Sequence, residues 1–330
     1  MFCLKQFVCV FMLFMVLVSC NQDQKDKKEE VNVPMQATVK TLTKSSLVVL
    51  GNVQDAGFPQ IGCTKSCCVS VWGSTKKKKM VVSLGIVDTD TKKTWLFDAS
   101  PDFKDQTKML SDYAGNKSIV MPDGIFLTHA HMGHYTGLIH LGREAMGADQ
   151  VPVFVMPKMY EYLSNNGPWS QLIKLKNIEL VPLQSDSGIQ LTSEIKVTPF
   201  FVPHRGEYTE TVGYKIEGKN QRVLFIPDID KWSKWNRSIV DEIKAVDVAF
   251  LDATFFKNGE VGNRDMSEIP HPFVEESIRL FNNLPSKERE KIHFIHMNHT
   301  NPLLQENSEA RKEVFSRGYH IAEEGLAVEL

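Results

Sequence analysis

Three histidines lie within six residues of one another, in the segment His129-Ala-His131-Met-Gly-His134. They follow the strand-like run 124–128, and one residue separates His129 from His131, so a turn leaving that strand aims both imidazoles at one point. His134 begins a helix-like segment and approaches from the side. Neutral imidazole is the commonest metal ligand in proteins, and zinc binds such nitrogens at about 2.0–2.1 Å. The spacing predicts a metal centre, with unrelated surface histidines as the alternative.

Further candidate ligands follow other hydrophobic, strand-like runs along the chain. They are Asp98 after 96–97, His204 after 201–203, Asp228 after 224–227 and His296 after 294–295. A single aspartate at a strand end is more often a turn or helix cap than a ligand. Four such residues, in order around a three-histidine cluster, favour one shared metal site.

The N-terminal residues differ in composition from the rest of the chain. Lys5 precedes the apolar run 7–18, which is too short for a comfortable membrane span. The run ends in Leu17-Val18-Ser19-Cys20, which resembles a bacterial lipobox, whose cysteine is lipidated; an ordinary cleaved signal or a short anchor is the alternative. The segment that follows is polar and charged, as in a solvated tether. We predict a lipoprotein signal peptide over 1–19, lipidation of Cys20, a flexible tether over 20–42 and a folded domain over 43–330.

Cys63, Cys67 and Cys68 lie in one short loop of the predicted mature domain. An exported protein can use cysteines in disulfides, but three is an odd number and two of these are adjacent. A small metal site is the better interpretation, and reduced loop cysteines are the alternative.

The composition, with 42% hydrophobic and 24% charged residues, is ordinary for a globular protein. A net charge of −2 gives no reason to expect a nucleic-acid partner. The strand-like segments, among them 119–128, form two groups, each followed by helix-like segments such as 135–146. This order predicts one domain in which two sheets face each other with helices outside, and a site at the strand ends and following loops.

The ligand types and their order resemble the metallo-β-lactamase superfamily. Its metal motif is His-x-His-x-Asp-His, followed by a His, an Asp and a His. The resemblance covers most of residues 45–330. It implies an α/β fold, the four-layer αββα metallo-β-lactamase sandwich.

The resemblance also implies two metal positions joined by the carboxylate of Asp228. The ligands that it implies for the first position are His129, His131 and His204. For the second position it implies His134 and His296 in addition to Asp228. For Asp98 it implies the role of a carboxylate that orients the histidines, as outer-layer groups of metal sites commonly do.

The chain departs from the family motif at Gly133, where the family usually has aspartate. Because glycine has no side chain, the second metal loses a carboxylate ligand. A water or a nearby side chain, with His299 as a candidate, then fills the position, or the second metal is weakly held and one tightly bound metal remains. The sequence leaves both possibilities open.

Within the superfamily, the chain is most similar to the pyrroloquinoline-quinone biosynthesis protein B family. The similarity is carried by Gln-Asp-Ala-Gly-Phe-Pro-Gln over 54–60, by Phe-Ile-His-Met-Asn-His-Thr-Asn-Pro-Leu-Leu over 294–304, and by the C-terminal 318–330. The phosphodiesterase branch that processes cyclic phosphate intermediates of phosphonate breakdown shares the cysteine loop. In both relatives that loop holds a structural zinc completed by a distant histidine. Carried over to this chain, the implied ligands are Cys63, Cys67, Cys68 and His271, although the relatives usually have a cysteine at the position of Lys65.

The activity implied is metal-assisted hydrolysis of a phosphodiester or related ester, in which the metal lowers the pKa of a bound water. We expect one or two catalytic zinc ions and one structural zinc; iron or manganese also suits the catalytic ligands. Asp98 and Asp228 are predicted to take part in catalysis. His299, three residues after His296, is predicted to contact the substrate or donate a proton, with a hydrogen bond inside the turn 298–301 as the alternative.

Other functions remain possible at this stage. Typical members of the quinone-biosynthesis family lack the first histidines of the cluster, which this chain keeps, so a hydrolase is favoured. The alternatives are a mononuclear iron, oxygen-dependent redox enzyme related to pyrroloquinoline quinone biosynthesis, a non-catalytic binding lipoprotein, and a true β-lactamase. We expect a small anionic substrate, which Arg205 and Tyr208 could meet, and no nucleic-acid partner. We also expect membrane attachment through the N-terminal lipid, in the bacterial cell envelope facing the periplasm or the exterior.

Overall fold

Two β-sheets form the centre of the molecule in the computed structural model, which describes residues 41–262, 265–266 and 268–330. In order of hydrogen bonding, the strands of the first sheet are β14 (Ala327–Glu329), β1 (Ser46–Gly51), β2 (Ser83–Asp88), β3 (Lys93–Phe97), β4 (Gly124–Phe126), β5 (Val151–Val155) and β6 (Ile178–Pro182). Those of the second sheet are β13 (His320–Ile321), β12 (Ile292–Ile295), β11 (Val248–Asp252), β10 (Arg222–Ile226), β9 (Val212–Glu217), β8 (Lys196–Phe201) and β7 (Ile189–Gln190).

Helices lie between these strands in the described part of the chain. The α-helices are α1 (Ser66–Trp72), α2 (Phe103–Tyr113), α3 (Met132–Tyr135), α4 (Pro157–Asn165), α5 (Trp169–Lys174), α6 (Ile239–Lys244), α7 (Val274–Phe281), α8 (Ser286–Arg289) and α9 (Glu309–Ser316). Short 3-10 helices cover Thr75–Lys77, Thr136–Leu141, Trp232–Lys234 and Pro302–Leu304.

Each sheet buries both of its faces. Because side chains alternate along a strand, Leu47 of β1 points into the core between the two sheets, while its neighbour Val48 points away from the second sheet. On the second sheet, Phe225 faces the core between the sheets and Leu224 faces outward. Each fully buried side chain of this size contributes about 1.5–3 kcal/mol to folding.

The outward faces are covered by helices. Leu110 of α2 and Leu163 of α4 pack in the same cluster as Val48, and Ile243 of α6 and Phe281 of α7 pack with Leu224. The order of layers is therefore helix, sheet, sheet, helix. This confirms the predicted αββα sandwich.

Two predicted elements are shorter than expected. Of the run 119–128, only β4 is a strand, and 135–146 does not form one helix but continues from α3 into the 3-10 helix Thr136–Leu141. Ala99, just after β3, explains the second difference because its N–H donates to the carbonyl of His134 and its carbonyl accepts from the N–H of Gly137. The backbone after the histidine cluster is thus bound to the end of β3 instead of to its own preceding turn.

The parallel strands bring their carboxyl ends to one edge of the sandwich. β3 is parallel to β4, and β10, β11 and β12 are parallel to one another. Ligands of open α/β sheets bind outside the carboxyl ends of the strands. The residues that follow these strands are therefore placed to form a common site.

Residues 41–330 fall within one compact unit. The predicted signal peptide, Cys20 and nearly all of the predicted tether lie outside the described residues. Among the helices of the described part of the chain, none combines the length and apolar character needed to cross a membrane.

Candidate metal centre

The histidine cluster after β4 meets His204, which follows β8. The ring centroids of His129 and His204 are 5.4 Å apart, and those of His131 and His204 are 5.0 Å apart. One nitrogen from each of the three rings lies within 4.8 Å of the others. Nε2 of His131 is also 3.2 Å from Oε2 of Glu207 on an exposed loop. The structure thus brings together the three predicted ligands of the first metal position.

Asp228, two residues after the end of β10, lies at the centre of the site. Its Oδ2 is 2.9 Å from Nε2 of His134 and 3.1 Å from Nε2 of His296. The same oxygen is 3.7 Å from Nε2 of His129, and Oδ1 is 3.6 Å from Nε2 of His204. Side chains predicted for both metal positions therefore surround one carboxylate, as expected for a bridging ligand.

The potential metal-ligand atoms that face each other at this site have no hydrogen-bond partner of acceptable geometry among the described residues. These buried atoms include Oδ2 of Asp228 and Nε2 of His129, His134, His204 and His296. Leaving a buried polar atom unpaired costs about 1–3 kcal/mol, so a convergent group of them needs a common partner. A set of imidazole nitrogens around a carboxylate fits divalent zinc, manganese or iron.

A buried carboxylate fixes the orientation of the histidine cluster from behind. Asp98, directly after β3, accepts a hydrogen bond of 2.7 Å from Nδ1 of His134. Thr128 donates its hydroxyl to Asp98 at 3.0 Å and lies 2.9 Å from Nδ1 of His129. With their Nδ1 atoms engaged in this way, both imidazoles direct Nε2 into the site. Asp98 thus has the position predicted for it.

On the opposite side of the site, the carboxylate of Asp252 and the hydroxyl of Thr254 orient His296 in a similar way. Thr254 donates its hydroxyl to Oδ1 of Asp252 at 2.7 Å and lies 2.9 Å from Nδ1 of His296. Sequence reasoning did not assign Thr128 or Thr254 a role. Two features of the sequence could have indicated these roles. Thr128 is adjacent to His129, and Thr254 lies two residues after Asp252, an aspartate at a strand end.

Two site residues have a left-handed backbone at the end of a strand. Asp98 and His296 both have φ of 64°. For residues other than glycine, such a conformation costs on the order of 1–3 kcal/mol and is concentrated at functional sites. The turn of the backbone at each position directs the side chain to the site.

Burial sets the protonation of the first-position histidines. It lowers the pKa of His129 and His131, and it lowers the pKa of His204 to about 4. Burial opposes the ionisation of Asp228 too, but His296 and His134 hold its pKa well below the usual range. At neutral pH the imidazoles of these three histidines are therefore neutral and the carboxylate of Asp228 is charged, which are the forms that bind a metal.

Asp55 also belongs to the site, although sequence reasoning noted it only as part of a family-like segment. Its Oδ1 is 3.1 Å from Nε2 of His134 and 3.7 Å from Nε2 of His296. Burial alone would raise its pKa, but these two histidines hold the pKa well below the usual range. No spacing signal in the sequence connects Asp55 to the histidine cluster, because it reaches the site from the loop after β1.

The cysteine loop forms a separate group of potential ligands, completed by His299. The Sγ atoms of Cys63 and Cys67 are 3.8 Å apart, and those of Cys67 and Cys68 are 3.9 Å apart. One nitrogen of His299 lies within 4.8 Å of all three sulfurs. Tetrahedral zinc with Zn–S bonds of about 2.3 Å places its sulfur ligands about 3.8 Å apart. The group therefore has the donors and the spacing of a Cys3His zinc site.

The prediction that His299 acts at the catalytic centre is therefore wrong. Val53, which precedes the cysteine loop, pairs in parallel with Met297, and the N–H of Gln54 donates to the carbonyl of Met297. This pairing holds the residues beyond β12 beside the chain that leads into the cysteine loop. His296 lies at the metal centre, and His299 reaches the cysteines.

The prediction that His271 completes the cysteine site is also wrong. Its Nδ1 lies 2.8 Å from Oδ2 of Asp252 and 3.5 Å from Oδ1 of Asp228, and its ring centroid is 5.2 Å from that of His204. Asp252 holds His271 beside the metal centre. Asp252 is recognisable in the sequence as an aspartate at a strand end, but no sequence pattern links it to His271.

A cavity of about 190 Å³ opens onto this centre. Its lining combines the charged groups Asp55, Asp228 and Arg205 with His131 and His271, and Phe255 and Ile269 supply an apolar wall. A larger cavity of about 680 Å³ beside Phe58 and Leu304 has no histidine or cysteine among its described lining residues. The smaller cavity is therefore the one with the chemistry of an active site.

The four-layer fold and the ligand arrangement at its strand ends define a protein of the metallo-β-lactamase fold. A family model described as a beta-lactamase superfamily domain matches residues 93–297. The chain therefore belongs to this superfamily, and it is similar to the PqqB-like branch.

Curated relatives and solved structures agree with this assignment. The coenzyme PQQ synthesis protein B of Gluconobacter oxydans is 25% identical over 86% of this chain and 98% of its own length. A crystal structure of zinc-bound PqqB from Methylobacterium extorquens has a TM-score of 0.72 at 22% identity, covering 86% of this chain and all of that one. A diphosphatase of the PhnP family has a TM-score of 0.60 at 23% identity, covering 87% of this chain and 97% of that one.

Proposed function

We propose that this protein is a metal-dependent hydrolase that acts on a phosphodiester or a related ester of a small anionic molecule. The proposal depends most on the Nε2 atoms around Asp228, which have no hydrogen-bond partner in the described part of the chain and lie at a cavity. A binding protein does not need donor atoms held unpaired beside an open cavity. When bound, a divalent metal at such a site lowers the pKa of water and polarises a phosphoryl or carbonyl oxygen.

The side chains of this protein perform the remaining tasks. His129, His131 and His204 would hold the first metal, and His134 and His296 the second, with Asp228 shared between them. Asp98 keeps Nδ1 of His134 protonated and Nε2 free, which is the tautomer that binds a metal. The site is therefore preorganised before a substrate enters.

His271 is the candidate for proton transfer to the leaving group. It lines the cavity, and its Nδ1 is held by Asp252 at 2.8 Å. A carboxylate that accepts from one imidazole nitrogen fixes the ring and supports a proton on the other nitrogen. His271 thus takes over the role that sequence reasoning gave to His299.

A guanidinium at the cavity, together with the divalent metals that the centre would hold, favours a small anionic substrate. Arg205 lines the cavity and is paired with Glu207, with 3.4 Å between its Nε and Oε1 of Glu207. Guanidinium groups bind phosphates and carboxylates through paired hydrogen bonds. The similar proteins, a coenzyme synthesis protein and a diphosphatase, are consistent with a small-molecule substrate.

Hydrolysis of bis(4-nitrophenyl) phosphate by the zinc-loaded full-length protein tests the proposal. His129→Ala should reduce the rate by a factor on the order of a hundred or more, because one ligand of the first metal position is lost. His140→Ala is the matched control, since His140 stacks on Phe103 away from the metal centre and should leave the rate unchanged. Equal rates for the wild type and His129→Ala would refute the proposal.

We also propose, from the sequence, that Cys20 carries a lipid that attaches the protein to the bacterial cell envelope. The support is the apolar run 7–18 followed by the lipobox-like Leu17-Val18-Ser19-Cys20. Labelling with radioactive palmitate in a bacterial host should mark the wild-type protein and not Cys20→Ser. Labelling of both proteins, or of neither, would contradict lipidation at this position.

A further inference from the structure

The second metal position lacks one negative charge relative to the superfamily motif. Gly133 stands where the motif has aspartate, so among the motif residues only Asp228 brings a charge to the centre. The imidazoles are neutral when they bind a metal. Two divalent cations beside a single carboxylate would be poorly compensated in a buried site, where unpaired charge is costly.

Asp55 brings a second carboxylate to this position. Its Oδ1 approaches Nε2 of both His134 and His296, at 3.1 and 3.7 Å, and has no hydrogen-bond partner among the described residues. One oxygen of Asp55 and one nitrogen of each histidine lie within 4.8 Å of one another. The side chain also lines the cavity that opens onto the centre. These are the contacts expected of a ligand.

The space that Asp55 occupies is the space that a side chain on Gly133 would need. A β-carbon built on Gly133 would lie 2.6 Å from Cα of Asp55 and 2.7 Å from its Cγ. Non-bonded carbons are stable at about 3.5–4.0 Å. Gly133 does not have a positive φ, so packing against Asp55, rather than backbone conformation, explains the glycine.

The backbone before Asp55 is anchored at both sides. Asn52 and Val53 donate their N–H groups to the carbonyl of Met80, and Gln54 donates to the carbonyl of Met297. Met297 is adjacent to the ligand His296. These hydrogen bonds therefore fix the position of the loop that carries Asp55 relative to the chain that carries His296.

From these contacts we infer that Asp55 is the carboxylate ligand of the second metal position, supplied from the loop after β1 in place of the aspartate of the superfamily motif. The inference rests on the proposed metal-dependent function. In this inference Gly133 leaves the space that Asp55 occupies, so the glycine at 133 and the aspartate at 55 depend on each other.

The metal content of the full-length protein tests this inference. The proteins are dialysed against a buffer with limiting zinc and analysed for zinc per chain. Asp55→Asn and Gly133→Ala should each lose about one zinc relative to the wild type, the first by weakening the ligand and the second by displacing it. The matched controls are Asp90→Asn at an exposed turn and Gly73→Ala, whose β-carbon would meet no atom within 4 Å. Both controls should keep the full zinc content.

The outcomes separate this inference from the proposed function. Full zinc in Asp55→Asn, with one zinc lost in His134→Ala, would overturn the inference, because the second metal would then be held without Asp55. Zinc that depends on His129 but not on His134 would also overturn it, while leaving hydrolysis by a single metal intact. Loss of the same zinc in Asp55→Asn, Gly133→Ala and His134→Ala supports it, whatever the rate on any substrate.

Discussion

Nδ1 of His134 lies 2.7 Å from Oδ2 of Asp98, and both side chains are fully buried. Burial raises the pKa of Asp98 despite the proximity of His134. The same burial would lower the pKa of His134, but Asp98 and Asp228 together raise it well above the usual range. Asp98 accepts the Nδ1 proton of His134, and Nε2 of the same ring faces Asp228 at 2.9 Å.

Asp98→Asn tests the importance of this pair. Asparagine keeps one acceptor oxygen but loses the negative charge that favours a proton on Nδ1 of His134, and such changes behind a metal ligand weaken metal binding about 10- to 100-fold. Zinc affinity, measured by competition with a chromogenic chelator, is the direct readout. Asp105→Asn, on the exposed side of α2, is the control and should bind zinc as the wild type does. Unchanged affinity in Asp98→Asn would contradict the orienting role of Asp98.

His271 and His299 can be assigned to their sites by one paired experiment. His299→Ala should lose the zinc of the cysteine group and melt at a lower temperature, because binding free energy at a structural zinc is folding free energy. Cys68→Ser should have the same effect. His271→Ala should keep that zinc and lose catalytic rate instead. If His271→Ala, and not His299→Ala, matched Cys68→Ser, then His271 would belong to the cysteine group and His299 would not.

Glu324 is expected to make stability depend on pH. Its burial raises its pKa to about 7, although the N–H of Met80 donates to it and Lys79 lies near. The folded protein therefore keeps a proton that the unfolded chain releases at a lower pH. The stabilisation is complete below the pKa of the unfolded chain, about 4.3, and is lost as the pH rises through about 7.

Glu324→Gln should remove this dependence, because an amide does not ionise. The difference in unfolding free energy, variant minus wild type, should increase between about pH 5 and about pH 8 in urea titrations. Glu306→Gln, at an exposed position, should show no such trend. A constant difference for Glu324→Gln would show that this carboxyl does not titrate in the expected range.

Tyr214 supports the strand that leads into the histidine cluster. Its buried hydroxyl donates to the carbonyl of Leu127 at 2.5 Å, two residues before His129. Tyr214→Phe leaves that carbonyl unpaired and should cost about 1–3 kcal/mol of unfolding free energy. The exposed Tyr208→Phe should cost little, and equal stabilities of the two variants would argue against this contact.

The sequence was most informative where ligands follow strands directly. His129, Asp98, Asp228 and His296 each come within three residues of a strand end, and parallel strands must bring those ends together. The sandwich was predictable for the same reason, because the hydrophobic runs that form the two sheets are separated by helical segments.

The loop residues could not be placed by the same reasoning. His271 and His299 lie outside regular elements, and which site each one reaches depends on backbone pairing such as that of Val53 with Met297. Asp55 lies 78 positions before Gly133 in the chain, and only the folded structure shows that one takes the space of the other. The sequence shows that glycine replaces the aspartate of the motif at 133, but it does not show that Asp55 brings a carboxylate to the same place.

The most direct test of the central claim is a titration of metal-free full-length protein with zinc, with bis(4-nitrophenyl) phosphate hydrolysis measured at each step. The first equivalent should fill the cysteine group with little activity, and the rate should then rise with the zinc that fills the histidine centre. In His129→Ala the rate should stay near zero at every zinc concentration. Hydrolysis that is independent of zinc, or a fully loaded wild-type protein that hydrolyses no phosphodiester or related ester, would contradict the account.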